Sequence, residues 1–389
     1  MKSSRRVLFL IVFAQFLCTS LWFAGNGVMA DLSAAFGLPA AAMGYLTSVV
    51  QLGFISGTLV FALLSFADRF SPSKVFMISA LLGALVNVGI IWEGNQLGSL
   101  LALRFFTGFF LAGIYPVGMK IAADYFEKGL GVSLGYLVGA LVLGTAFPHL
   151  LKELSTDYSW QAVILTTSGL ASFGGVLLFL GVPDGPFRKA GQKVNIQDFQ
   201  RVFANKEFRA AALGYFGHMW ELYAFWAFVP FFIERFNNYW PDLGFPVSLL
   251  SCLVIGLGGL ACIISGYLGK ALSNKGVAKG ALLLSGICCL LFPTVFYEAH
   301  PVAFLVFLLV WGMLVIADSP LFSSLVAKNA PAEIKGTALT LVNCIGFAIS
   351  ILSIELLNAL STDNSSIYFF LLLAIGPFLG FTFLQFQRK

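Results

Sequence analysis

Arg104, His218, Glu221, Asp318 and Glu355 each interrupt a long apolar run. An ion placed in hydrocarbon costs roughly 2.5–3.5 kcal/mol on insertion scales, so each of these side chains needs a partner or a wet cavity. His218 and Glu221 are three positions apart and share a helix face. A carboxylate beside an imidazole, away from bulk water, can load and release a proton. The competing reading is a closed hydrogen-bonded pair that ties helices together. Arg104 can hold an anionic group with its planar fork, or pair with a carboxylate on a neighbouring helix. Asp318 follows Trp311 by seven residues and precedes Pro320. It can pair with Arg104, carry a proton or cap a helix break. Glu355 falls near the end of its run, where a structural or gating role is expected.

Neutral polar and aromatic residues extend these positions. Arg104, Gly108, Leu111 and Tyr115 lie on one helical stripe, and Gln15, Thr19, Trp22 and Asn26 lie on another. Asn343 and Ser350 form a third pair, and Trp220, Tyr223 and Trp226 surround His218 and Glu221. The expected solute-contacting set is therefore Arg104, Tyr115, Gln15, Trp22, Trp226, Trp311 and Asn343. The expected proton-handling set is His218, Glu221 and Asp318. No catalytic constellation accompanies them. Gly131-Val-Ser-Leu-Gly135 matches G-x-S-x-G, but it opens an apolar helix and not a strand-turn-helix. There is no H-E-x-x-H, Walker A or G-x-G-x-x-G sequence. Neither an enzyme nor a cofactor or metal site is expected. The cysteines at 18, 252, 262, 288, 289 and 344 read as small buried hydrophobes.

The elements that carry these residues are membrane helices. Of 389 residues, 59% are hydrophobic and 11% charged, and mean hydropathy is +0.90. A soluble domain has about 25% charged residues, and a helical span needs about 20 apolar ones. Continuous apolar runs exclude a transmembrane β-barrel, whose segments alternate. The net charge of +5 is scattered and forms no nucleic-acid footprint. Apolar runs predict twelve spans: 7–29, 43–65, 75–92, 97–120, 130–151, 161–182, 209–233, 247–268, 279–297, 301–323, 336–358 and 367–385. The first is too long for a signal-peptide core and reads as a retained helix. The stretch 183–208 separates a bundle over 1–182 from a bundle over 209–389.

With the N-terminus in the cytoplasm, nineteen Lys and Arg residues fall on the inner side and two, Lys152 and Arg235, on the outer side. The positive-inside rule therefore places both termini inside. The halves also repeat. Gly108 and Pro116 stand eight apart around the fourth span, as do Gly312 and Pro320 around the tenth, each 204 positions on. Duplicated six-helix halves suggest a carrier that rocks around a central site.

These features resemble the major facilitator superfamily. The loop ADRFSPSKV resembles its motif G-x-x-x-D-R-x-G-x-R-K, with Asp68, Arg69 and Lys74 at matching positions and Leu64 and Ser71 in place of its glycines. Arg104 with Gly108 resembles the fourth-helix R-x-x-x-G. GHMWELYAFWAF and ADSPLFSSLVAKNAP are similar to a bacterial branch near the nitrate/nitrite and cyanate porters. The resemblance implies an all-α integral membrane protein of twelve transmembrane helices in two pseudo-symmetric six-helix bundles. It implies gating by Asp68 and Arg69, which latch helix ends, and a monomer in a bacterial inner membrane. Its partners would be a small-molecule solute, protons and membrane lipid. The function implied is proton-coupled transport of a small anionic or zwitterionic solute by alternating access. The alternative is a proton-driven exporter of amphipathic drugs or metabolites.

Overall fold

The computed structural model describes residues 2–126, 130–154, 159–188, 202–331, 335–363 and 366–385, and no strand occurs among them. The chain forms two compact units, Met1–Val194 and Asn195–Lys389. The first contains α1 (Lys2–Thr19), α2 (Ala24–Gly27), α3 (Met29–Phe36), α4 (Ala42–Leu63), α5 (Pro72–Val88), α6 (Leu97–Leu111), α7 (Tyr115–Tyr125), α8 (Leu130–Leu154) and α9 (Trp160–Gly181). The second contains α10 (Lys206–Tyr239), α11 (Val247–Ala271), α12 (Asn274–Glu298), α13 (Pro301–Ala317), α14 (Ser319–Asn329) and α15 (Lys335–Asp363), then a 3-10 turn (Tyr368–Ala374) that leads into α16 (Ile375–Gln385).

Ten spans among the described residues are long and apolar enough to cross a membrane. The other two expected crossings depart from that simple form. The seventh is α10, a 34-residue helix; the polar residues of its middle lower its hydropathy. It begins where Asn205 Oδ1 accepts from the Glu207 and Phe208 amides at 2.9 and 3.2 Å, satisfying donors at the helix start. The first crossing, expected as one helix over 7–29, is instead interrupted after Thr19. Thr19 Oγ1 donates back to Gln15 O at 2.8 Å and Ser20 Oγ to Leu17 O at 2.6 Å. The amides of Leu21 and Trp22 then turn to Cys18 O and Thr19 O, tightening the last turn. Two small residues let the continuation pack closely. A Cβ on Gly27 would stand 2.9 Å from Pro148 Cβ, and one on Gly25 would stand 3.3 Å from Arg104 Nε.

Each unit contains one near-identical helix crossing. In the first, a Cβ on Gly108 of α6 would lie 1.9 Å from Val50 O of α4; in the second, one on Gly312 of α13 would lie 2.1 Å from Val254 O of α11. Val50 and Val254 stand 204 positions apart, as do Gly108 and Gly312. Backbone thus meets backbone at the same place in both halves, the close approach that small residues permit between membrane helices. The helix breaks also correspond. Helix α6 ends before Ile114 and α13 before Asp318, again 204 apart, and Pro116 and Pro320 sit in the first turn of the helix that follows. Proline is tolerated there because those amides have no intrahelical acceptor.

Candidate functional site

In the second unit the polar centre is built on α10. Glu221 is 1% exposed. Its Oε1 accepts from Ser285 Oγ at 2.5 Å, Trp311 Nε1 at 2.6 Å and Cys289 Sγ at 3.2 Å. Ser285 and Cys289 are one turn apart on α12, and Trp311 comes from α13. Among the described residues, no cation stands within ion-pair distance of this carboxylate. His218, one turn earlier on α10, places Nδ1 2.7 Å from Asp318 Oδ1, with both side chains buried. Asp318 occupies the break between α13 and α14, where its main-chain oxygen accepts from the Leu321 and Phe322 amides at 3.0 and 2.9 Å. The rings of Tyr215 and Phe322 stand 5.9 and 6.1 Å from the imidazole. His218 Nε2 has no hydrogen-bond partner among the described residues.

The expected partnerships are therefore redistributed. His218 and Glu221 share a face of α10 but engage different partners, and Asp318 is taken by His218. Trp311 is fully buried. Its nitrogen serves Glu221, and its ring packs on Phe225 at 4.5 Å and Phe292 at 5.4 Å. Trp226 is likewise fully buried, edge-on to Tyr223 at 5.3 Å. Asn343 on α15 is half-buried. Ser285 and Cys289 were not among the expected residues. Their i, i+4 spacing inside one apolar run was the available signal. Cys289 acts here as a thiol donor and not as an inert hydrophobe.

In the first unit, Arg104 is 2% exposed. Its Nη1 donates to Leu21 O at 3.0 Å and its Nη2 to Trp22 O. Both carbonyls belong to the turn between α1 and α2, so main-chain dipoles meet the guanidinium there. Among the described residues no carboxylate reaches it. Trp22 is buried against Phe54 at 4.8 Å. Gln15 is fully buried, and neither atom of its amide has a hydrogen-bond partner among the described residues. Its Oε1 lies against Gly118 of α7, where an added Cβ would stand 2.4 Å away. Tyr115, at the start of α7, is half-buried.

At the loop between α4 and α5, the side chain of Asp68 lies outside the described ones, and Arg69 is exposed at the end of the helical turn Phe66–Arg69. Arg188 reaches this loop from the far end of the unit. It donates to Phe70 O at 2.8 Å and pairs with Asp184, which accepts from Ser71 Oγ at 2.6 Å. Ser71, at a motif glycine position, thus gains a contact that glycine could not make.

An all-helical chain with many apolar spans, built twice over and carrying buried charges, defines a multi-pass membrane protein of the transporter type. The chain belongs to the Major Facilitator Superfamily, whose family model matches residues 11–354. A putative niacin/nicotinamide transporter of Bacillus subtilis (strain 168) is 30% identical over 41% of this chain, and the match spans 39% of that protein's length. A bicyclomycin resistance protein homolog of Haemophilus influenzae is 22% identical over 77% of this chain and 76% of its own. Among solved structures, a proton:xylose symporter matches with a TM-score of 0.77 at 13% identity, covering 98% of this chain and 95% of that one. A nucleoside transporter matches with a TM-score of 0.72 at 15% identity over 97% and 98%. These structures share the fold.

Proposed function

We propose that this protein is a secondary active transporter that moves a small anionic or zwitterionic solute by alternating access, driven by protons. The observation that carries this reading is Glu221: a carboxylate 1% exposed, among neutral donors, with no cation against it among the described residues. A buried carboxylate in that setting exchanges a proton more readily than one locked in an ion pair, because no fixed positive charge holds the anion. The His218–Asp318 pair supplies a second proton-handling group one turn away. In the other half, the charge of Arg104 is met by carbonyl dipoles, which leaves it able to attract a carboxylate. Gln15, Tyr115 and Asn343 are the neutral groups proposed to complete the solute contacts.

The proposal places two six-helix halves, 1–182 and 209–389, about a cytoplasmic linker over 183–208. It sets both termini inside a bacterial inner membrane by the excess of inner Lys and Arg. Asp68 and Arg69 would gate from the cytoplasmic loop. Nicotinate, a small aromatic carboxylate, is the first solute to test, because a relative is named for niacin. In reconstituted vesicles, wild-type protein should accumulate nicotinate, or a related carboxylate, when an inward proton gradient is imposed. Glu221→Gln should keep counterflow exchange and lose that accumulation. Accumulation by Glu221→Gln at the wild-type level excludes coupling through this residue and moves the role to Asp318.

A second reading, a proton-driven exporter of amphipathic drugs, is favoured by the relative named for bicyclomycin resistance, which aligns over 77% of this chain. Expression in a bicyclomycin-sensitive strain separates the two. A rise in tolerance that requires Glu221 supports export.

A further inference from the structure

Three neutral donors converge on a single oxygen of Glu221, and one of them is embedded in an aromatic cluster. Ser285 Oγ, Trp311 Nε1 and Cys289 Sγ all point at Oε1. An ionised carboxylate accepts at both oxygens, through about four lone-pair sites in all. With three donors on Oε1, an added proton goes to Oε2. Hydrogen bonds to an ionised acceptor are about twice as strong as neutral ones. Protonation at Oε2 therefore weakens all three contacts together. For Trp311 that loss is transmitted further. Its ring lies against Phe225 and Phe232 of α10, Phe292 of α12 and Phe307 of its own helix at 4.5, 6.1, 5.4 and 5.8 Å. Phe232 and Phe292 in turn meet Phe370 of the 3-10 turn at 4.6 and 5.9 Å.

We propose that Ser285, Cys289 and Trp311 are the positioning residues of Glu221, and that Trp311 carries the protonation state of that carboxylate into the aromatic packing of the second unit. This rests on the reading of Glu221 as the proton site. Other titratable groups facing this region are Cys288 and Cys289 on α12, Asp318 at the end of α13 with its partner His218 on α10, and Cys262 on α11, which lies near Asp318. None is a cation fixed against Glu221, so the groups that meet its carboxylate directly are the three donors.

The test uses the full chain in lipid and needs no solute: infrared difference spectra recorded while pH is titrated. Glu221→Gln should remove one titrating carboxylic-acid C=O band, which identifies it. Trp311→Phe keeps a ring in the cluster and deletes the donor. Ser285→Ala and Cys289→Ala delete the other two. Each should move the midpoint of that band toward alkaline pH by about one to two units, while Cys289→Ser should hold it near wild type. A tryptophan ultraviolet difference spectrum should titrate with the same midpoint and vanish in both Trp311→Phe and Glu221→Gln. Midpoints unmoved by all three deletions overturn the proposal, as does a tryptophan signal that survives Glu221→Gln. If Trp311→Phe does not fold, the two α12 variants decide the positioning role. The tryptophan signal in Glu221→Gln then decides the transmission. The two readings also fail separately. Uphill transport by Glu221→Gln sinks the coupling and leaves the donor shell standing, whereas an unmoved midpoint sinks the donor shell alone.

Discussion

Replacing Gly108 by Ala would put a methyl carbon 1.9 Å from Val50 O, and Gly312→Ala would put one 2.1 Å from Val254 O. Real Cβ atoms essentially never come under 3.0 Å from such a neighbour, so α4 and α6, or α11 and α13, must separate by about an ångström. Overpacking in a tight core costs about 1–3 kcal/mol when side chains can move aside. Here the obstacle is a backbone carbonyl, which no rotamer change relieves, so each substitution belongs at the upper end, about 3 kcal/mol. For a unit of this size, 1 kcal/mol corresponds to about 2–4 °C in Tm. Each variant should therefore unfold about 6–12 °C below wild type, followed by tryptophan fluorescence in detergent. Gly169→Ala and Gly280→Ala are the controls, because an added Cβ meets nothing within 4 Å at either place. Alanine is the better helix former by about 1 kcal/mol, so these should match or exceed wild type. A Gly108→Ala protein that melts with wild type, or a Gly169→Ala protein that falls as far as Gly108→Ala, would refute the crossing argument.

Arg104→Met fills much the same volume but leaves Leu21 O and Trp22 O without their donor. If nicotinate or another carboxylate proves to be the solute, Arg104→Met should abolish the thermal shift that solute gives, and Arg104→Lys should restore it in part, since an ammonium lacks the planar fork; an undiminished shift in Arg104→Met would remove Arg104 from the solute site. For topology, cysteines introduced at positions 3 and 363 should label from opposite sides of the membrane in intact and permeabilised cells. Labelling of both from outside would overturn the assignment.

The repeat was readable because it is written in local spacing. Gly108 with Pro116 and Gly312 with Pro320 mark the helix crossing and the helix break in each half, and both features are local requirements of backbone geometry. The apolar runs likewise revealed the helices, since burial in lipid demands continuous length. Partner choice was not readable in the same way. His218 and Glu221 are neighbours on α10, yet their partners lie 100 and 64 or more positions away in the chain. Only packing brings Asp318, Ser285, Cys289 and Trp311 to them. The interruption after Thr19 was hidden for a different reason: the sequence stays apolar through Leu21-Trp22-Phe23, so hydropathy sees one span. Its signs are the Thr19-Ser20 hydroxyls, which return to carbonyls of their own helix, and the glycines at 25 and 27. Arg104 was recognised as costly, but its answer is a pair of main-chain carbonyls, which carry no sequence signature at all.

The two halves thus share the glycine crossing and the proline-marked helix break but differ in what they bury. In the first, carbonyls of the turn after α1 hold the guanidinium of Arg104; in the second, hydroxyl, thiol and indole donors hold the carboxyl group of Glu221. With both groups charged in an unloaded carrier, dipoles alone would meet the two charges, which is expensive in a low-dielectric setting. On the transport reading, the loaded states remove that expense. A solute carboxylate neutralises Arg104, and a proton neutralises Glu221. Binding one ligand alone would leave a single uncompensated charge. Loading both leaves none, and loading neither leaves one of each sign. The electrostatic cost is thus paired with the ligands, which is the condition for coupled movement of an anion with a proton. It also explains why conservative changes should separate the functions: Glu221→Gln mimics the protonated carrier and retains exchange, whereas Arg104→Lys keeps the charge and loses the geometry.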